Sequence, residues 1–266
     1  MRKYMCLGLF VIFCTFSFAA FSDDLTNLTA QAKQGEIEAQ RSLGEIYYKG
    51  SHGVAQNYNK AEPWLVKAAK QGDIVAARLL GHINYKGASN FPQDYTMALA
   101  WFLKAANQGD ADAQNKVGVM YRQGLGVERN NREALRWLRK SADQDFPLAQ
   151  SNIGLFYENG LGVTKDTQAA ARWTEKAAKQ GVTQAQLNIG LMYCTGNGVT
   201  KDLILGHMWL NIASVRGKEK QKARRNMSIA EGEMSNEEIF QARQLASDWM
   251  ESHPPSSEEN LVSRPL

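Results

Sequence analysis

The sequence predicts an all-α fold in which five helical pairs stack into a solenoid with a capping segment at each end. Two recurring residues support this prediction. A glycine recurs at intervals of 37, 37, 36 and 36 residues, at Gly44, Gly81, Gly118, Gly154 and Gly190. A tryptophan recurs at intervals of 37, 36, 36 and 36 residues, at Trp64, Trp101, Trp137, Trp173 and Trp209. A period of about 20–50 residues is typical of architectures whose neighbouring copies bury a shared core.

The copy Ala149–Gly181 shows why each repeat is expected to hold two helices. Its first part carries small and apolar residues at spacings near the helical period, which favours a helix over a strand. Gly160 and Gly162 follow, and glycine accepts the positive φ angles with which a chain leaves a helix. Either Asp166 or Thr167 then provides the N-cap of a second helix, which a final glycine ends.

These landmarks resemble a known repeat family. The pattern A-x-x-x-[LIV]-G-x-x-Y-x-x-G-x-G-V is followed by a polar link, A-x-x-W and K-A-A-x-Q-G, as in the Sel-1-like repeat, a relative of the tetratricopeptide repeat. The resemblance covers roughly Asp24 to Trp249. It implies a right-handed α/α superhelix that mediates protein–protein contacts and usually has no chemistry of its own.

Two copies depart from the pattern, and both departures fall near turns. The second copy has Asn84 where the others have tyrosine, and its link from Gly87 to Pro92 lacks the G-x-G-V sequence. The third copy ends with Asp145 in place of glycine. We therefore expect altered turns in copies two and three within an unchanged fold.

The repeat register divides the chain into one solenoid domain over residues 23–251 and two flanking segments. A capping helix is expected over 24–35, and a capping box of Ser235 and Glu238 opens the last helix of a C-terminal cap over 218–251. Residues 252–266 have little apolar content and are predicted to be a disordered tail. The five repeats are expected over about 37–72, 73–109, 110–145, 146–181 and 182–217.

Residues 1–22 resemble a secretory signal, with Arg2 and Lys3 before an apolar run. The run is shorter than a membrane span of about 20 residues, although an uncleaved anchor is the alternative. We therefore expect an exported protein, periplasmic or secreted, without a stable membrane span after cleavage. Cleavage leaves Cys194 as the one cysteine and an excess charge of 29 − 27 = +2, which gives no general attraction to nucleic acid or anionic membranes.

The sequence offers no pattern of residues that predicts catalysis or cofactor binding. The four histidines lie in separate repeats or in the tail, without a second ligand at i+3 or i+4, so no metal site is expected. None of H-E-x-x-H, Cys-x-x-Cys and G-x-S-x-G is present. The recurring tryptophans could stack on sugars, but their single repeated position among alanines favours the core. Likewise, Lys218–Arg225 is interpreted as a solvated helix rather than an anionic docking patch.

A partner-binding surface is predicted by analogy with tetratricopeptide arrays, in which first helices line a concave groove. The arginines of this surface would pair with carboxylates, and the leucines would suit a partner's helix or extended peptide. The alternative is that the leucines pack against neighbouring helices. The predicted residues are Arg41, Arg78, Tyr85, Val119, Leu155, Leu187 and Leu191.

Two functional hypotheses follow. The first is a non-catalytic scaffold that binds another protein of the bacterial envelope or of a host, without nucleic acid or cofactor, and a regulator that holds a cell-wall enzyme is a special case of it. The alternative is an envelope enzyme or ligand binder that acts on peptidoglycan fragments or β-lactams. Clustered polar chemistry in the groove would favour the alternative.

Overall fold

The computed structural model describes residues 24–51, 53–215 and 219–254. Thirteen helices form the framework of this part of the chain, which holds no strand beyond an isolated bridge between Ala88 and Phe91. The all-α fold predicted from the sequence is confirmed. The predicted leader over 1–22, His52 and the predicted tail beyond Pro254 lie outside the described residues.

Each predicted repeat contains two helices. Helix α1 covers residues 24–34. The five pairs are α2 (Ile37–Lys49) and α3 (Tyr58–Lys70), α4 (Ile74–Lys86) and α5 (Tyr95–Ala106), α6 (Ala111–Gln123) and α7 (Asn131–Ala142), α8 (Pro147–Asn159) and α9 (Thr167–Lys179), and α10 (Thr183–Thr195) and α11 (Leu203–Val215). The C-terminal cap consists of α12 (Lys220–Glu231) and α13 (Asn236–Ser252).

The chain forms two compact units. The first holds the described residues up to Ala113 together with Leu125–Val127, and the second holds Gln114–Gly124 and the described residues from Glu128 onward. In the first unit, helices α2 to α5 pack against one another in chain order. In the second, α7 to α11 do the same, and α11 also contacts both α12 and α13.

The repeated glycine is required because the two helices of a pair approach closely. A Cβ atom on Gly44 would lie 2.5 Å from Cδ2 of Leu65, and one on Gly81 would lie 2.5 Å from Cδ1 of Phe102. These distances are well inside van der Waals contact, so any larger residue must displace its neighbour. The same obstruction is found at Gly118, Gly154 and Gly190.

Each second helix begins at a short polar side chain. Asp166, rather than Thr167, is the N-cap of α9, because its Oδ1 accepts a hydrogen bond of 2.8 Å from the backbone N–H of Ala169. The predicted capping box of Ser235 and Glu238 is also present at the start of α13. The equivalent caps of the other second helices are Asn57, Asp94, Asn130 and Asp202.

The second glycine of each G-x-G-V turn lies against the backbone at the start of a preceding second helix. A Cβ atom on Gly162 would lie 2.8 Å from the carbonyl carbon of Asn131. Gly162 also has a φ of 66°, which glycine adopts without strain. The equivalent neighbours are Tyr95 for Gly126 and Thr167 for Gly198. These turns are therefore held by main-chain contacts.

Copies two and three differ at their turns, as the sequence predicts. In copy two, Gly87 has φ 62° and ψ −179°, and the link closes through the bridge between Ala88 and Phe91. In copy three, Asp145 has a φ of 58° and is the one non-glycine residue with positive φ in the described part of the chain. Both changes are local, because a regular helix lies on either side of each altered turn.

The repeated tryptophans lie in or at the edge of the core. Trp137 and Trp209 are buried, with 4% and 3% of their surface exposed. The other three are partly buried, and each has a lysine three residues later over its ring. Lys67, for example, places its Nζ 4.4 Å from the ring centroid of Trp64. The lysine covers the outer face of the ring, which favours packing over sugar stacking.

Candidate functional site

Charged side chains on the first helices of the first unit are paired within the chain. Arg41 lies 2.9 Å from Glu38 and 3.7 Å from Asp73. Arg78 places Nε 3.5 Å from Asp110 Oδ2. Both aspartates are next to the start of a first helix. The arginines that the sequence predicts to pair with a partner's acids are thus already neutralised by carboxylates of this protein.

Aromatic and polar groups on the same surface are also in contact. Nε2 of His82 lies 2.9 Å from Oδ2 of Asp112, and the ring of Tyr48 stacks on Tyr58 at 5.7 Å. Burial raises the pKa of Tyr48 to about 12, and the nearby Tyr58 and Asp112 add to the shift. Tyr85, a predicted binding residue, makes edge-on ring contacts within this unit. The polar and aromatic side chains of this surface therefore contact one another within the first unit.

A shallow cavity of about 280 Å³ opens on the second unit between α8 and α10. It brings together Leu155 and Leu191, two of the residues predicted to bind a partner, and both are partly buried. The lining residues are Leu155, Glu158, Gln184, Asn188, Leu191, Met192, Thr195 and Asn197.

The prediction that Leu187 lies on the exposed groove is wrong. Leu187 is fully buried and packs in a core cluster with Leu210, Ala213 and Ala223. It therefore follows the alternative, in which a leucine packs against neighbouring helices. Val119 is partly buried on α6 and does not line the cavity.

Five polar residues line the cavity, and none of them was among the seven predicted binding residues. Gln184, Asn188, Leu191 and Thr195 are spaced at i, i+4, i+7 and i+11, which places them on one stripe of α10. The prediction placed Leu187 of α10 on the binding surface, whereas the structure places its neighbour Asn188 there. A stripe drawn through Leu191 and its polar neighbours would have found Gln184, Asn188 and Thr195, and Glu158 follows from its spacing to Leu155.

The cavity combines apolar surface with hydrogen-bonding groups. Nε2 of Gln184 donates to Oδ1 of Asn188 at 3.0 Å, and Oγ1 of Thr195 donates to the Leu191 carbonyl at 2.9 Å. Glu158 forms no ion pair with any described residue. The described residues also contain no group of three or more His, Cys, Asp or Glu side chains that could hold a metal ion.

A second polar cluster joins the C-terminal cap to the last repeat. His207 is fully buried, and its Nε2 lies 3.0 Å from Oε1 of Glu231, to which Arg243 donates at 2.8 Å. Hydrogen bonds from His207 and then Arg243 hold the pKa of Glu231 below its usual value. This cluster links α11, α12 and α13, so its role in the fold is structural.

Comparison with known families identifies the repeats. The model of the Sel1 repeat matches five segments, residues 37–73, 74–110, 111–146, 147–182 and 183–217. The chain belongs to the Sel1 repeat family. Each matched Sel1 segment begins at the first residue of a first helix. Sel1 repeats generally mediate protein–protein interactions and serve as non-catalytic scaffolds.

Two solved structures are similar to this Sel1 repeat protein. One is a protective antigen of uropathogenic Escherichia coli strains with an SLR fold, at 33% identity, a TM-score of 0.81, 91% coverage of this chain and 51% of that chain. The other is a Sel1 repeat protein from Oxalobacter formigenes, at 32% identity, a TM-score of 0.67, and 76% and 83% coverage. The chain thus spans about half the length of the E. coli antigen. No curated protein sequence matches it.

No helix in the described part of the chain is both long and apolar enough to cross a bilayer. Part of the apolar surface of the second unit, from Leu155 and Leu191, lies in the cavity beside polar side chains.

Proposed function

We propose that this Sel1 repeat protein is an exported, non-catalytic scaffold that binds a segment of another protein in the bacterial envelope or outside the cell. The observation that carries the proposal is the meeting of Leu155 and Leu191 in one open cavity. These leucines come from successive first helices, α8 and α10. They give the partner an apolar anchor point, while the family's general role supports a protein as the ligand.

The chemistry of the rim supports an extended or helical peptide. An apolar side chain of the partner would remove the exposed surface of Leu155 and Leu191 from water, at about 25 cal/mol per Å² of apolar area buried. The amides of Gln184 and Asn188 can both donate and accept hydrogen bonds. A peptide main chain requires both kinds of partner, so the rim fits a peptide better than an anion.

A capture experiment tests the scaffold. The full chain would be used as bait in envelope and host extracts, with the double variant Leu155→Asp, Leu191→Asp beside it. The matched control is Phe240→Asp, which changes a 71% exposed apolar residue on α13 of the same unit. We expect one protein to be captured by wild type and control and lost from the double variant, whose fold is checked by circular dichroism.

Two outcomes would contradict the proposal. Retention of the partner by a folded double variant would show that the cavity is not the binding site. Recovery of peptidoglycan fragments or a bound β-lactam, with no protein partner, would favour the alternative of an envelope enzyme or ligand binder.

The exported location is a separate part of the proposal. It is supported by the signal-like residues 1–22. The description of the similar E. coli protein as a protective antigen also agrees with exposure to a host. Mass spectrometry of the chain from cell fractions should show a new N-terminus after Ala19, Ala20 or Ser22. An intact chain confined to the cytoplasm would contradict export.

A further inference from the structure

We infer that the cavity between α8 and α10 selects a partner segment with a lysine or arginine beside an aliphatic side chain, and that Glu158 recognises the cation. This inference rests on the proposed function, because it specifies the chemistry of the segment that the same cavity would bind. Three features of the second unit support it: its charge, its register and its apolar floor.

The charge of the cavity is negative and uncompensated. Glu158 is the one lining residue with a formal charge, and no lysine, arginine or histidine of the described residues forms an ion pair with it. Two other glutamates of the unit, by contrast, each have a lysine as partner. Glu175 lies 2.9 Å from Lys179, and Lys201 lies 2.7 Å from Glu233. A cationic partner group would therefore gain an interaction that the chain does not supply.

The register places this charge beside the apolar floor. Glu158 follows Leu155 by three residues, so both side chains lie on one face of α8. Counted from the repeated glycine, Glu158 occupies the position of Tyr48 and Tyr85 in the first unit, where rings pack on other rings. The first unit therefore offers no counterpart to this free carboxylate among its described residues.

The floor fits the rest of a basic side chain and its neighbour. The hydrocarbon stem of a lysine or arginine can lie along apolar surface while its charged end reaches a carboxylate. Leu155, Leu191 and Met192 supply that surface beside Glu158. Because Gln184 donates to Asn188 through Nε2, its own Oε1 and the Nδ2 of Asn188 are left for a peptide main chain.

The expected effect is modest, because Glu158 is only partly buried. Exposed ion pairs contribute little to binding, so removal of the carboxylate should weaken binding of a basic peptide by about two- to five-fold. The preference for a basic residue should also fall in concentrated salt, because salt screens exposed charges.

A peptide selection tests the inference without knowledge of the natural partner. The full chain would select from a displayed library of random twelve-residue peptides. The enriched peptide would then be labelled and titrated beside versions in which its basic residue is glutamine or glutamate. We expect lysine or arginine next to leucine, isoleucine or methionine among the enriched sequences.

Charge variants of the protein complete the test. We expect Glu158→Gln to weaken binding of the basic peptide and to leave binding of its glutamine version unchanged. Glu158→Lys should bind the glutamate version more tightly than the basic peptide. The matched control is Glu175→Gln, which removes a glutamate on α9 that already has Lys179 as its partner and should change neither affinity.

The outcomes separate the inference from the proposed function. Enriched peptides that lack a basic residue, are unaffected by Glu158→Gln and are lost from the Leu155→Asp, Leu191→Asp variant would overturn the inference alone. Peptides that bind this double variant as well as wild type would overturn the cavity as the binding site. A selection that enriches no peptide would count against both.

Discussion

Substitution of the repeated glycine in the second copy should destabilise the fold even though alanine is the better helix former. In Gly81→Ala, the new Cβ would lie 2.5 Å from the ring of Phe102. This ring cannot move easily, because it is fully buried. Its centroid also lies 5.1 Å from that of the His82 ring and 6.4 Å from that of the Tyr85 ring. Overpacking of a buried site costs about 1–3 kcal/mol. Alanine returns about 1 kcal/mol of helix propensity, so the net loss is up to about 2 kcal/mol.

The assay is urea unfolding of the full chain, followed by circular dichroism and tryptophan fluorescence. We expect the Gly81→Ala midpoint to fall at an unchanged slope. The matched control is Gly232→Ala, since Gly232 has a helical φ of −65° and its new Cβ would lie 3.3 Å from the carbonyl oxygen of Ile229, a much milder contact. The control should unfold close to the wild-type midpoint.

A double-mutant cycle identifies the cause. Leucine stands opposite the glycine in three other copies, at Leu65, Leu138 and Leu210. Phe102→Leu should therefore relieve part of the clash, and the two changes together should cost at least about 0.5 kcal/mol less than their sum. Strict additivity of the two changes would refute the close approach of α4 and α5 as the reason for glycine.

Three further predictions concern a cap and two titrations. Asp166→Ala should cost about 1 kcal/mol in urea unfolding, because the N–H of Ala169 loses its acceptor, and Asp166→Asn should retain most of the stability. The pKa of Tyr48 lies above the usual 10.0, so its stabilising contribution is complete below pH 10 and lost as the pH rises to about 12. Burial also raises the pKa values of Tyr58 and Tyr193, so ultraviolet titration should show several late tyrosines, of which Tyr48→Phe removes the last. An unchanged curve would contradict this. The pKa of Glu231 lies below 4.5, so its contribution is present above pH 4.5 and lost as the pH falls further. The fall in thermal midpoint between pH 7 and pH 3 should be smaller in Glu231→Gln, and an equal fall would show that the bond from His207 has no role in acid stability.

Most of the fold could be predicted because its determinants repeat. Five glycines each face a side chain of the paired helix at short distance, so the spacing of Gly44 and its equivalents reports the same close approach each time. Departures from the repeat pattern could be predicted for the same reason. Asp145 stands where the other copies have glycine, and the backbone there still takes a positive φ, which aspartate tolerates better than most residues.

The candidate site was less predictable because rotation of a helix about its axis is not visible in a repeat. Leu187 and Asn188 are neighbours in sequence, yet the first packs in the core while the second lines the cavity. One residue corresponds to about 100° on a helix of 3.6 residues per turn. The pairing of Arg41 with Asp73 is also hidden, since it joins residues of successive copies.

The main-chain contacts of the G-x-G-V turns affect how such chains can gain or lose repeats. Gly162 meets Asn131 through main-chain atoms, and Gly198 meets Thr167 in the same way. Because these turns meet main-chain atoms, this contact does not depend on the side chains of the neighbouring copy. Loss of residues 147–182 as one block would bring the turn of Gly198 against the start of α7 instead of α9. Gene duplication or deletion can thus add or remove whole units of 36 or 37 residues while this turn contact is kept, whereas a single inserted residue in a turn would break it.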